Sequence, residues 1–261
     1  MSRLIPAFLA VAALGACATT GEGVGADAGQ TLGSSPATVD RQARERIGRE
    51  DMLTQMAFWA AEYQAFPNDL EAARRFSEAL RRGGRADRAA QVSGEALGRF
   101  PDDQQLLNTY GLAQIAAGRP QEALRPLALV AQAQPQNWRV RSALGAALDQ
   151  LGRYADARRA YQEALAIEPN NGGVLTNLGV SHIMAGEAAD AEAVLRRAVE
   201  TQAAPPEARQ NLAIALALQG RFEEAEQLER ANLPPAQAAE NIAYLRGLLS
   251  DPRRWGDLNP S

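Results

Sequence analysis

Lysine is absent from this 261-residue chain, and cysteine and histidine occur once each, as Cys17 and His182. All 27 basic side chains are therefore arginine. They are dispersed among 31 acidic residues for a net charge of −4, which leaves no basic footprint for a nucleic acid. A lone cysteine excludes an internal disulfide, and a lone histidine excludes a histidine-rich metal site. No glycine-rich segment follows a strand pattern, so nothing is set up to cradle a phosphate. The apolar run at 4–14 is too short to span a bilayer as a mature helix. Carboxylates scatter along helix surfaces as solvated faces. The composition thus predicts no catalytic group, no cofactor, no metal and no small-molecule substrate. A Ser-His-Asp arrangement would have to use His182, which falls at a packed position of the pattern described next.

What the chain does have is a period. The stretch 138–171, WRVRSALGAALDQLGRYADARRAYQEALAIEPNN, reads as two amphipathic helices. Leu144, Gly145 and Leu148 share a face of the first, Ala157, Tyr161 and Ala164 a face of the second, and Gly152-Arg153 forms the turn. A step of 34 residues from Gly152 lands on Gly84, Gly118, Gly186 and Gly220; from Ala157 it lands on Ala89, Ala123, Ala191 and Ala225. The same step from Gly145 gives Gly111 and Gly179, with Ser77 and Ala213 as small substitutes, and from Pro169 it gives Pro67, Pro101 and Pro135. Small residues suit the place where two helices cross closely. One such pair cannot bury its apolar face alone, so neighbouring copies must stack. His182 lies on the first helix of its unit, where Leu148 and Leu216 stand in others.

This pattern resembles the tetratricopeptide repeat: a small residue in helix A, Ala-x3-aromatic in helix B, and a closing proline. The resemblance implies an all-α, right-handed superhelical solenoid with a C-terminal capping helix. Units are predicted at 70–103, 104–137, 138–171, 172–205 and 206–231. A degenerate helical pair over 37–69, with helices near 39–47 and 52–66, precedes them as an N-terminal cap. The fifth unit departs late: Glu229 holds the aromatic position, and Leu233-Pro234-Pro235 breaks the helix. An amphipathic helix at 236–250 follows as the C-terminal cap, with Trp255 in a polar tail, so 232–261 forms cap and tail.

The N-terminus carries a different signal. Arg3, the run 4–14 and Leu14-Gly15-Ala16-Cys17 resemble the leader and lipobox of bacterial lipoproteins. The resemblance implies cleavage after residue 16 and lipidation of Cys17, with several acyl chains giving a stable membrane anchor. Ala18 at the next position points to the outer membrane, with the protein facing the periplasm. Residues 17–36, rich in Gly, Ser, Thr and Ala, read as a flexible tether spanning roughly 20–25 Å.

In the repeat family, helix A lines the inner wall of the superhelix, which makes its inward positions the candidate partner-binding groove. These are Asn108, Leu112 and Ile115 in the second unit, Arg139 and Asp149 in the third, Asn177, Val180 and Ile183 in the fourth, and Asn211 and Ile214 in the fifth. The first unit offers a charged entry of Glu71, Arg74, Glu78 and Arg81. Amides can pair both ways with a peptide backbone while apolar neighbours hold its side chains.

Lipobox, tether, repeats and the segment LPPAQAAENIAYLRGLL at 233–249 together are similar to the TadD-like lipoproteins of the tight-adherence (Flp) pilus machinery. That resemblance implies a pilotin-like adaptor with no catalytic step, whose partner is the pilus secretin. Two other readings stay open on the residues alone: a scaffold for another envelope machine, and an envelope enzyme or its non-catalytic activator.

Overall fold

The structure, a computed structural model, describes residues 40–231 and 233–250. The leader, Cys17, the tether and the tail with Trp255 lie outside the described residues. Within them are thirteen helices and no strand. The chain is all-α, as the period predicts, and divides into two compact units after Pro126.

Local chemistry starts and stops each helix. Asp69, Asp103 and Asn171, spaced by 34 or its multiple, cap α3 (Leu70–Arg82), α5 (Gln104–Ala116) and α9 (Gly172–Met184). Each side-chain oxygen accepts a backbone N–H from the first turn. Helix A ends at a glycine in the left-handed region, with φ between 70° and 79° at Gly84, Gly118, Gly152, Gly186 and Gly220. A side chain there would be strained. The next residue's N–H then reaches back to a carbonyl near the end of helix A, for example Arg85 to Leu80 and Arg153 to Leu148, each at 2.9 Å. Helix B follows at once.

In the first unit, α1 (Arg41–Ile47) and α2 (Met52–Ala65) lead into α3, α4 (Ala86–Leu97) and α5. Trp59, Phe76, Leu80 and Val92 form its core, with Tyr63 and Met56 packed against it. The α1 helix buries only Ile47. What ties it down is Arg44, whose guanidinium donates to Glu62 and Asp69 at 2.7 Å and Glu71 at 3.1 Å, and lies 5.4 Å from the centre of the Trp59 ring. Helix α6 (Pro120–Ala133) carries Pro126 in its interior, where one helical hydrogen bond is forfeited.

The second unit continues through α7 (Trp138–Gln150), α8 (Tyr154–Ile167), α9, α10 (Ala188–Glu200), α11 (Pro206–Leu218), α12 (Phe222–Glu229) and α13 (Pro235–Ser250). Each helix packs on the next, and α9 also packs on α7 and α11. At Gly145 the close crossing is literal: a Cβ would stand 2.5 Å from the Tyr161 ring. Tyr161 is fully buried. The C-terminal helix begins at Pro235, one residue before the 236 start read from the pattern, because proline suits the first helical position. It keeps the phase of the repeat, since buried Ile242 extends the buried column of Val140, Val174 and Ala208. Glu229, in the aromatic position, is buried and accepts from the Asn241 amide of α13 at 2.8 Å. The departure at Glu229 therefore serves the junction with the final helix.

Candidate functional site

In the first unit, Asn108, Leu112 and Ile115 lie on α5, and all three are half-buried. The charged residues of α3 are committed internally: Arg74 binds the cap residue Asp103, and Arg81 binds Glu78 at 2.7 Å. A cleft of about 670 Å³ beside them is lined by Arg41, Arg44, Trp59, Glu71, Arg75 and Arg82.

In the second unit the predicted residues separate into four groups. Asn177 and Val180 on α9, and Asn211 and Ile214 on α11, are half-buried. Because α9 packs on α11, the 34-residue step sets Asn177 level with Asn211 and Val180 level with Ile214. Ile183 packs against the core that contains Leu212, Leu216 and Ile242. Arg139 is exposed, its guanidinium 4.4 Å from the centre of the Trp138 ring.

Asp149 belongs to the fold, not to a groove. It is buried, and both carboxylate oxygens are occupied: the Tyr161 hydroxyl donates at 2.9 Å and the Ser181 hydroxyl at 2.6 Å. Burial raises the Asp149 carboxyl above the ordinary aspartate range, against the pull of those hydroxyls and of Arg158. Burial, then Asp149 itself, pushes the Tyr161 hydroxyl well up, which keeps it a donor. The network joins α7 and α8 of the third repeat to α9 of the fourth.

Pattern reading also missed two inter-repeat ion pairs of opposite polarity. Arg158 of α8 binds Glu187 at 3.2 Å, whereas Glu192 of α10 binds Arg221 at 2.5 Å. Each partner occupies the same column of its repeat, so the swap was visible in the sequence as Glu187 among Arg85, Arg119, Arg153 and Arg221. Burial favours a raised Glu192, but donors from Gln219, Arg196 and Arg221 overcome it and hold the carboxyl at about 2. His182 Nδ1 lies 2.6 Å from Glu187 Oε2. The described hydrogen bonds send Ser181 to Asp149 and His182 to Glu187, so no serine is joined to the histidine among the described residues.

Known families fit this geometry. Family models described as tetratricopeptide repeat match residues 74–138, 111–172, 150–207 and 206–229. The chain carries tetratricopeptide repeats. A solved structure of MamA from MSR-1 is 28% identical over 61% of this chain and 90% of that one, with a TM-score of 0.53. A MamA structure from AMB-1 is also 28% identical, covering 61% and 93%, at a TM-score of 0.54. TTC0263, a thermophilic TPR protein of Thermus thermophilus, shares the fold at 23% identity, covering 67% and 97%, with a TM-score of 0.56. No curated protein sequence matches significantly. Tetratricopeptide repeats are a scaffold for protein–protein interaction, a fold that is typically non-catalytic.

Proposed function

We propose that this chain is a lipid-anchored periplasmic adaptor for Flp pilus assembly. It would act like a pilotin, holding a segment of the outer-membrane secretin on its helix A face and aiding its localisation or multimerisation. The observation that carries the binding reading is the pairing of half-buried amides with apolar side chains on α9 and α11, Asn177 with Val180 and Asn211 with Ile214. A peptide laid along this strip meets donors and acceptors for its backbone and apolar contacts for its side chains. The pilus assignment and the outer-membrane anchor rest on the resemblance at 14–17 and 233–249.

Two variants test the reading. Cys17→Ala should release the protein from the outer-membrane fraction and lower the amount of multimeric secretin there. Asn177→Ala with Asn211→Ala should weaken capture of the secretin by about tenfold per amide, or ~1.4 kcal/mol each, without changing the melting temperature. Unchanged secretin multimers in the Cys17 variant would overturn the pilotin role. Unchanged capture in the amide variant would move the binding face elsewhere.

A further inference from the structure

The fourth repeat departs from the others at two columns together. Where the other repeats follow their turn glycine with arginine, it has Glu187, and where they place Leu80, Gln114, Leu148 and Leu216 it has His182. In the third and fifth repeats the arginine binds the acid three residues on, Arg153 to Asp156 at 2.7 Å and Arg221 to Glu224 at 2.6 Å. With Glu187 in its place, the matching Asp190 is deprived of that guanidinium and remains exposed beside a second carboxylate. One ligand-capable atom from each of His182, Glu187 and Asp190 lies within 4.8 Å of the other two.

We propose that His182, Glu187 and Asp190 form a binding site for a divalent transition-metal ion of the zinc class. Ligand atoms around a tetrahedral ion with bonds of about 2.0–2.2 Å stand roughly 3.3–3.6 Å apart. The His182–Glu187 contact at 2.6 Å therefore has to open by about 1 Å or less, with the proton between them displaced. Exposed Asp190 is free to swing in. Arg158 grips Glu187 Oε1 at 3.2 Å, which orients the carboxylate and leaves Oε2 for the ion. Two carboxylates, a neutral imidazole and one guanidinium sum to −1, a charge that a dication offsets. The imidazole nitrogen selects zinc, nickel or cobalt over magnesium and calcium, which take oxygen ligands. Water completes the coordination. A bound ion would clip the end of α9 to the first turn of α10 and, through Arg158, to α8.

The test is zinc titration by calorimetry on the untagged full chain carrying Cys17→Ser, so that the lone thiol cannot ligate. The expected result is one ion per chain, a melting temperature that rises with zinc, and no matching response to magnesium. His182→Gln should weaken zinc at least 100-fold and Asp190→Asn about tenfold, with both variants keeping their helical circular dichroism. Cobalt should give a visible absorption band that disappears in His182→Gln. Zinc uptake only at millimolar concentration, uptake unchanged in His182→Gln, or magnesium binding of equal strength would each overturn the site, leaving an ordinary histidine–glutamate hydrogen bond.

Discussion

Two joints between successive repeats, one in each compact unit, are both built around a buried aspartate side chain and yet work by different physics. Between the first and second repeats, Asp103 meets the full positive charge of Arg74 and also caps α5 through the Leu106 N–H at 2.9 Å. Burial alone would raise its carboxyl, but the guanidinium and the cap bonds carry it below the usual aspartate range. Between the third and fourth repeats, Asp149 meets only the hydroxyls of Tyr161 and Ser181 as hydrogen-bond donors, and burial wins. A carboxylate answered by a charge stabilises its joint in the ionised form. One answered by dipoles holds geometry while resisting ionisation.

The deepest way to break this contrast is to empty the second joint. Tyr161→Ala should cost about 3–5 kcal/mol in urea unfolding, since it removes a fully buried ring and one of the two donors to Asp149. Asp149→Ala should cost about 1–3 kcal/mol, by leaving two buried hydroxyls without their acceptor. Asp103→Ala should cost about 1–2 kcal/mol, from the lost cap together with the partly exposed ion pair.

Acid separates the joints by sign. Asp103 and Glu192 have lowered folded values, so their stabilisation is complete above the ordinary carboxyl range of about 4 and is lost as the pH falls below it. For Glu192 that loss extends down to about 2. Asp149 has a raised folded value, so protonation relieves its joint as the pH drops through that raised range. Melting curves between about pH 6 and 3 should therefore fall less steeply in Glu192→Gln than in the parent chain. They should lose part of a compensating low-pH gain in Asp149→Asn. The smallest effect belongs to Arg75→Ala: it and its partner Glu71 are both exposed, and the melting temperature should not move at physiological salt.

Much of the fold was legible in the sequence because its cause is local. A left-handed turn demands Gly152 and its equivalents, a close crossing demands Gly145, and both demands recur every 34 residues. The helix A face was legible only as a set of positions. Position alone placed Asp149 on that face, but could not show that Tyr161 from the next helix and Ser181 from the next repeat close over it. Glu229 looked like a lapse in the pattern until α13 supplied Asn241. Nothing in the spacing of the N-terminal pair marks Arg44, yet it ties α1 to α2 and to the start of α3. In each case the deciding partner lies on another helix, so the information is in the pairing and not in the column.

The alternating polarity of the inter-repeat pairs has a consequence for assembly of the chain itself. Similar repeats can associate out of order while a protein folds. If the third repeat bypassed the fourth and stacked on the fifth, Arg158 would face Arg221 in place of Glu187, and Asp149 would face Ala215 in place of Ser181. The wrong neighbour is met by repulsion and by a carboxylate oxygen left without its donor, the right one by attraction and a hydroxyl. The order of the repeats is thus written into their interfaces as an address.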